Sequence, residues 1–276
     1  MFKKPEEIMS NIDGVCECLK GKVCCPEFLK CNNKNYIMLD GEMWRIYKYI
    51  GNSVSYITLD DVDMIYEFGR VAGNFHYHTQ SLDTSKFYTI IENFHNTTYI
   101  LKKLLQIRND RYKWDFEFFE RMLVFSQLLD SKKLPLKVVH NDVKPSNVLF
   151  DNSSGRGIAL IDFDTVMPGL EIYDFGDGAR SACITENKFD SEKFRAYCKG
   201  YFSYITPIES ENYFLGMFCI TSELAARYFY DFITDGEYFS DKTSKQKLSR
   251  CRELIQTAES IFEKKEEICG IIQEFG

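Results

Sequence analysis

The feature that most limits the fold is a polar loop followed by two short apolar runs. The loop reads Val139-His140-Asn141-Asp142-Val143-Lys144-Pro145-Ser146-Asn147 and leads into Val148-Leu149-Phe150. A turn rich in Asn, Ser and Gly (152–157) follows, then Ile158-Ala159-Leu160-Ile161, which ends in Asp162-Phe163-Asp164. Apolar runs this short, bounded by Pro, Asn, Ser and Gly, read as strands rather than helices. The pattern sets an acid, an amide and a second acid around the ends of one small sheet.

Around this segment the chain alternates little and coils much. Glu6 and Glu7 after Pro5 mark a helical first turn, and Ile8, Ile12, Val15 and Leu19 recur at helical spacing. Two strands, 36–39 and 43–50, flank Asp40-Gly41 as a hairpin with a type I′ turn. Ile65, Phe68, Ala72 and Phe75 predict a helix over 61–76, in which Gly69 and Gly73 permit close packing. Two aromatic-rich helices are predicted near 98–107 and 113–129, and Leu134-Pro135 breaks the pattern. From about 188 onward three helical stretches run to the end, the last a single helix over about 243–272 that packs across the larger lobe. The expectation is an α+β chain with a small β-containing piece, 1–51, and a large, mostly helical piece, 52–276. The boundary is placed at 49–55, where Gly51-Asn52-Ser53 interrupts the strand.

Charge excludes some partners. Lys and Arg number 34 against 41 Asp and Glu, a net charge of -7, so no global positive field draws in nucleic acid. No stretch approaches the ~20 apolar residues needed to span a bilayer, and no apolar run follows Lys3 and Lys4 as in a secretory leader. A cytoplasmic protein is expected. Cys16, Cys18, Cys24, Cys25 and Cys31 crowd one stretch, but not at paired C-x-x-C spacing; they read as reduced thiols, with Cys16 and Cys18 as small fillers near a helix end. His76-x-His78 reads as a helix cap or surface pair, and His95 beside Phe94 as a packed side chain bonding a carbonyl.

The loop carries the chemistry. Phosphoryl transfer asks for a carboxylate to orient the attacking hydroxyl and for hard oxygen ligands that hold magnesium against phosphates. Asp142 fits the catalytic base, Asn147 and Asp162 the metal ligands, and Lys144 a point charge for the transferring group, while His140 braces the loop. H-x-D alone is common; H-x-D-x-K-x-x-N followed by strand, turn, strand and I-D-F-D is rare.

On those residues the chain resembles the kinase-like superfamily of aminoglycoside phosphotransferases and choline kinases. Within it the sequence is similar to N-acetylhexosamine 1-kinases. Further strings carry the likeness: Trp44-Arg45, Phe94-His95-Asn96-Thr97, Asp162-Phe163-Asp164-Thr165-Val166-Met167-Pro168-Gly169, Asp174-Phe175-Gly176-Asp177 with Arg180, and Glu223-Leu224 with Arg227, Asp231, Tyr238 and Phe239. The resemblance implies a two-lobe kinase fold, ATP and Mg2+ as cofactors, and a sugar hydroxyl as acceptor. It places Tyr49 and Ile50 at the nucleotide, and Trp44, Asp164, Arg227 and Tyr238 at the sugar. Asp174 and Asp177 are expected to brace the catalytic loop by accepting backbone N–H bonds. The family's glycine-rich turn and its strands are not found upstream of Pro5, so a shortened N-lobe is expected, with an open strand edge at 36–39 that invites a homodimer. Two other readings stay open: a choline- or aminoglycoside-type small-alcohol kinase, and a catalytically silent binding module.

Overall fold

The computed structural model describes residues 4–276. Helix α1 (Pro5–Leu19) starts as the sequence dictates, with proline in its first turn and Glu6 and Glu7 at its positive end. Its buried face carries Ile8, Ile12, Val15 and Leu19. The hairpin forms as β1 (Ile37–Leu39) and β2 (Glu42–Trp44), turning through Asp40 and Gly41, both at positive φ as a type I′ turn requires. The second strand is shorter than expected. Beyond Trp44 the chain bends and pairs with 27–29 instead: Leu29 N–H donates to Ile46 O and Lys48 N–H to Glu27 O, each at 2.9 Å. That partner segment, Glu27-Phe28-Leu29, is a short run after Pro26 inside a polar link, too short to show a strand period, so nothing local announced it.

Strand β3 (Ser53–Val54) leads to α2 (Val62–Thr79), capped by Asp61. Then come α3 (Thr97–Leu105), α4 (Lys113–Ser131) and β4 (Lys137–Val139). Strands β5 (Val148–Asp151) and β6 (Gly157–Leu160) form an antiparallel sheet in the order β3-β5-β6. Strand β7 (Met167–Gly169) pairs with β4, so the loop 140–147 leaves one two-stranded ladder and enters the next sheet. Helix α5 (Glu171–Ala182), the small hairpin β8 (Ile184–Thr185) and β9 (Lys188–Phe189), α6 (Ser191–Tyr201), α7 (Ser210–Ile233), α8 (Ser244–Glu263) and α9 (Lys265–Gln273) complete the chain.

The sheet is held against a helical core. Helices α2 and α6 meet backbone to backbone, and a methyl group on Gly73 would stand 2.2 Å from Tyr201 O, one on Gly69 2.3 Å from Tyr197 O. Around this contact Phe175 packs edge to face with Tyr201 and Tyr213 and at a tilt against Tyr197. The single terminal helix expected over 243–272 is instead two, broken at Lys264 (φ -98°, ψ 14°). Helix α8 buries Leu254, Ala258 and Ile261 and α9 buries Ile268, Ile271 and Ile272. One straight helix cannot aim both stripes at the core, and the break re-aims the second. Among the described residues no helix is long and apolar enough to cross a membrane.

Candidate active site

The loop between β4 and β5 is gripped by its own residues first. His140 Nδ1 accepts from the Asp142 backbone N–H at 3.3 Å, and Nε2 lies 3.0 Å from Ile161 O. One neutral tautomer, with the proton on Nε2, satisfies both bonds. The ring therefore ties the loop to the end of β6, a bracing role. Asn141 adopts φ 65° and donates Nδ2–H to Thr165 O at 2.9 Å, while Thr165 returns its hydroxyl to His140 O at 2.8 Å.

Asp174, on α5, accepts the backbone N–H groups of both His140 (2.6 Å) and Asn141 (2.7 Å). It is 1% exposed. Burial alone would raise its pKa, but His76, 3.1 Å away, and the backbone donors together hold the carboxyl below the usual carboxylate range. His76 is thus buried behind the loop, not at the surface; its 3.6-residue spacing puts it on the inner face of α2 with Phe75 and Ala72. Asp177 corrects a second expectation. It faces Arg180 one helical turn on, at 2.5 Å, and takes no bond from the loop.

The loop brings three expected residues together. Asp142 Oδ2 accepts from Lys144 Nζ at 2.7 Å and from Asn147 Nδ2 at 3.0 Å, and Asn147 also donates to Asp142 O at 2.9 Å. Asn147 spends its amide N–H groups on Asp142, which directs its carbonyl oxygen to the other side. Asp162 sits at φ 68° and ψ 60° at the end of β6, the left-handed region that costs a non-glycine residue energy. Partial desolvation, then the nearby Asp164 and Asp142 carboxylates, raise its pKa. A carboxylate crowded by two others is stabilised by a cation. Two hard oxygens, one amide and one carboxylate, match the sparse protein ligation of magnesium, which leaves places for phosphate oxygens. Among the described residues no group of three or more His, Cys, Asp or Glu forms a metal cage, in the cysteine stretch or elsewhere.

A second cluster adjoins the loop. Glu223 on α7, 1% exposed, lies 3.0 Å from His95 Nδ1 and 2.7 Å from Arg227, and accepts from Thr97 at 2.8 Å. Burial would raise its pKa, but Arg227 and His95 reverse this and hold it at about 2. His95 passes the tie onward, its Nε2 3.1 Å from Asn141 O. Arg227 also donates to Tyr238 Oη at 3.0 Å and lies over the Phe94 ring at 4.7 Å. Asp231 fixes the loop that carries Tyr238 by accepting its N–H and that of Phe239.

The remaining expected residues sit apart. Trp44 is 55% exposed, and its neighbour Arg45 reaches the site instead, 2.5 Å from Asp164 Oδ1. An arginine beside a hairpin carries no local sign of a partner 119 residues away. Tyr49 is 82% exposed, and Ile50 O accepts the Ser53 hydroxyl at 2.6 Å where the chain turns into β3.

A sequence profile described as APH, phosphotransferase enzyme family, matches residues 32–205. The fold is similar to an aminoglycoside phosphotransferase from Alicyclobacillus acidocaldarius, with TM-score 0.69 and 12% identity over 99% of this chain and 85% of that one. It is also similar to a microcompartment-associated aminopropanol kinase (TM-score 0.68, 17% identity, 95% and 83% covered). A choline/ethanolamine kinase family protein from Mesorhizobium loti gives TM-score 0.63 at 13% identity, with 97% and 83% covered. At such identities the likeness is one of fold, α+β with two lobes.

Proposed function

We propose, from the premise that this chain belongs to the phosphotransferase enzyme family, that it transfers the γ-phosphoryl group of ATP to a hydroxyl of a small molecule, an N-acetylhexosamine at its anomeric position. The observation that carries the reading is the Asp142, Lys144 and Asn147 triangle, with the crowded Asp162 carboxylate beside it.

In this reading Asp142 accepts the proton of the acceptor hydroxyl as its oxygen attacks the γ-phosphorus, and ADP departs. Asn147, by donating to both Asp142 O and Oδ2, fixes the rotamer of the base. Lys144 swings between the Asp142 carboxylate and the transferring group as a compact cation. Asn147 Oδ1 and Asp162 would hold magnesium, which neutralises phosphate charge. Tyr49 and Ile50, on the link between the lobes divided at 51/52, face the nucleotide base. Arg227, Tyr238 and Asp164 line the acceptor side, with Trp44 at its rim. Arg227 supplies a donor fork already oriented by Glu223 and by the Phe94 face, suited to sugar hydroxyls and an acetamido carbonyl.

A second reading is a kinase for a small amino alcohol. The fold likeness to an aminopropanol kinase supports it, as do the exposed aromatic faces of Trp44 and Tyr238, which suit an ammonium group. A panel of acceptors with Mg-ATP, with products identified by mass spectrometry, separates the two. An N-acetylhexosamine phosphate is the expected product; phosphorylated ethanolamine or choline instead moves the assignment to the second reading, and no product from any acceptor favours the silent module. The homodimer through the open edge at 36–39, where Ile37, Met38 and Leu39 stand exposed, remains part of the proposal and is read by light scattering.

A further inference from the structure

The structure assigns a second small-molecule site, remote from Asp142: a cleft of about 670 Å³ at the opposite end of the β4–β7 ladder. Lys137 opens β4 at the cleft, whereas the other end of β4 runs into the loop 140–147, and none of the residues placed in phosphoryl transfer lines the cleft. Its volume falls within the ~300–1,000 Å³ of small-molecule pockets.

Three observations define what fits. Asn212 lines the cleft, is 4% exposed, and its amide oxygen is sealed from solvent with no hydrogen-bond partner among the described residues. An unpaired buried amide oxygen is destabilising, and a residue that only packed would be better replaced by leucine. Rotation about the last torsion of Asn212 would present the carboxamide edge to the cleft, and the proposal includes that turn. Next, the charges in the wall are already paired. Lys137 meets Glu171 at 2.5 Å, and Lys132 lies 3.6 Å from Glu209 and 3.3 Å from Glu211. A charged ligand would have to break one of these pairs, whereas a neutral one leaves them intact. Finally, the rest of the wall is mostly aromatic and aliphatic, Tyr204, Tyr213, Leu134 and Ile208 among it, with Gln80 and Thr206 as its neutral polar groups. These surfaces accept a ring face and offer neutral rather than charged polar partners.

We propose that the cleft binds an uncharged ring compound of the lactam or carboxamide class, whose adjacent donor and acceptor pair with the Asn212 carboxamide. Such side-by-side pairing is the geometry by which a carboxamide reads a heteroaromatic edge. The site stands independently of the acceptor identity proposed above.

The test uses the full chain with Mg-ADP present to keep the probe from the nucleotide cleft. Nicotinamide and 2-pyridone are the probes, and saturation-transfer NMR with calorimetry is the readout. Binding to the wild type at millimolar probe is expected. Asn212→Leu should weaken it by about tenfold or more while melting at the same or a higher temperature. Ile208→Trp, at a rim position 52% exposed, should also weaken it, and decides the matter should Asn212→Leu fail to fold. Asp142→Asn should bind the probes as the wild type does. Absence of binding by both probes, or wild-type affinity in a folded Asn212→Leu, would overturn the site.

Discussion

At the residue scale the account rests on short polar contacts that single substitutions remove. Asp142→Asn keeps the shape and removes the proposed base, so turnover should fall by ~10²–10⁴ while folding is retained. Asp174→Ala differs in kind. It strips the acceptor from two buried N–H groups and leaves His76 facing a void, so a loss of ~3–5 kcal/mol is expected in chemical denaturation, with activity lost through the displaced loop. A wild-type midpoint in Asp174→Ala would remove it from the bracing role. The first of these residues was legible in the sequence because acid, lysine and amide lie within six positions of each other. Arg45 against Asp164, and His76 against Asp174, were not, because both pairings are made by the fold across more than 90 residues of chain.

At the element scale, close packing and a buried charge cluster make separate predictions. Gly73→Ala drives a methyl into Tyr201 O, with backbone on both sides, and should cost ~1–3 kcal/mol, read as a lower melting temperature; an unchanged one would mean α2 and α6 separate freely. The Glu223 cluster gives a pH dependence. Its carboxyl is held at about 2, below the ordinary 4.5, so its stabilisation is complete above pH 4.5 and is lost as pH falls toward 2. For His95, burial lowers the pKa but Glu223 outweighs it and raises the ring above 6.5, so its contribution is complete below pH 6.5 and fades as pH rises through the folded value. Glu223→Gln should flatten the acid limb of a stability profile; an unaltered limb would place acid sensitivity elsewhere. Periodicity found α1 and α2 because each buries one stripe of a continuous helix. It missed the break at Lys264, since the apolar spacing of 254–272 continues across it and only the position of the core demands two directions.

At the scale of the whole molecule, the loop 140–147 is where the layers converge. β4 and β7 deliver it, β5 and β6 close it, α5 holds its backbone through Asp174, and α7 reaches it through Glu223 and His95. An α+β arrangement of this kind was legible from the short runs around one polar loop, but the pairing of 27–29 with 46–48 was not, because Glu27-Phe28-Leu29 is too short a run to show a strand period and meets its partner only across the β1–β2 hairpin. Mg-ATP should stabilise the folded chain by ~2.7 kcal/mol at a hundredfold excess over its dissociation constant, seen as a higher melting temperature. The most direct measurement is the rate of ADP release and sugar-phosphate formation by wild type and Asp142→Asn, side by side, with Mg-ATP and an N-acetylhexosamine. The account predicts product from the wild type and a rate lower by ~10² or more in the variant, at unchanged melting temperature and nucleotide affinity. Equal rates in the two proteins would contradict it.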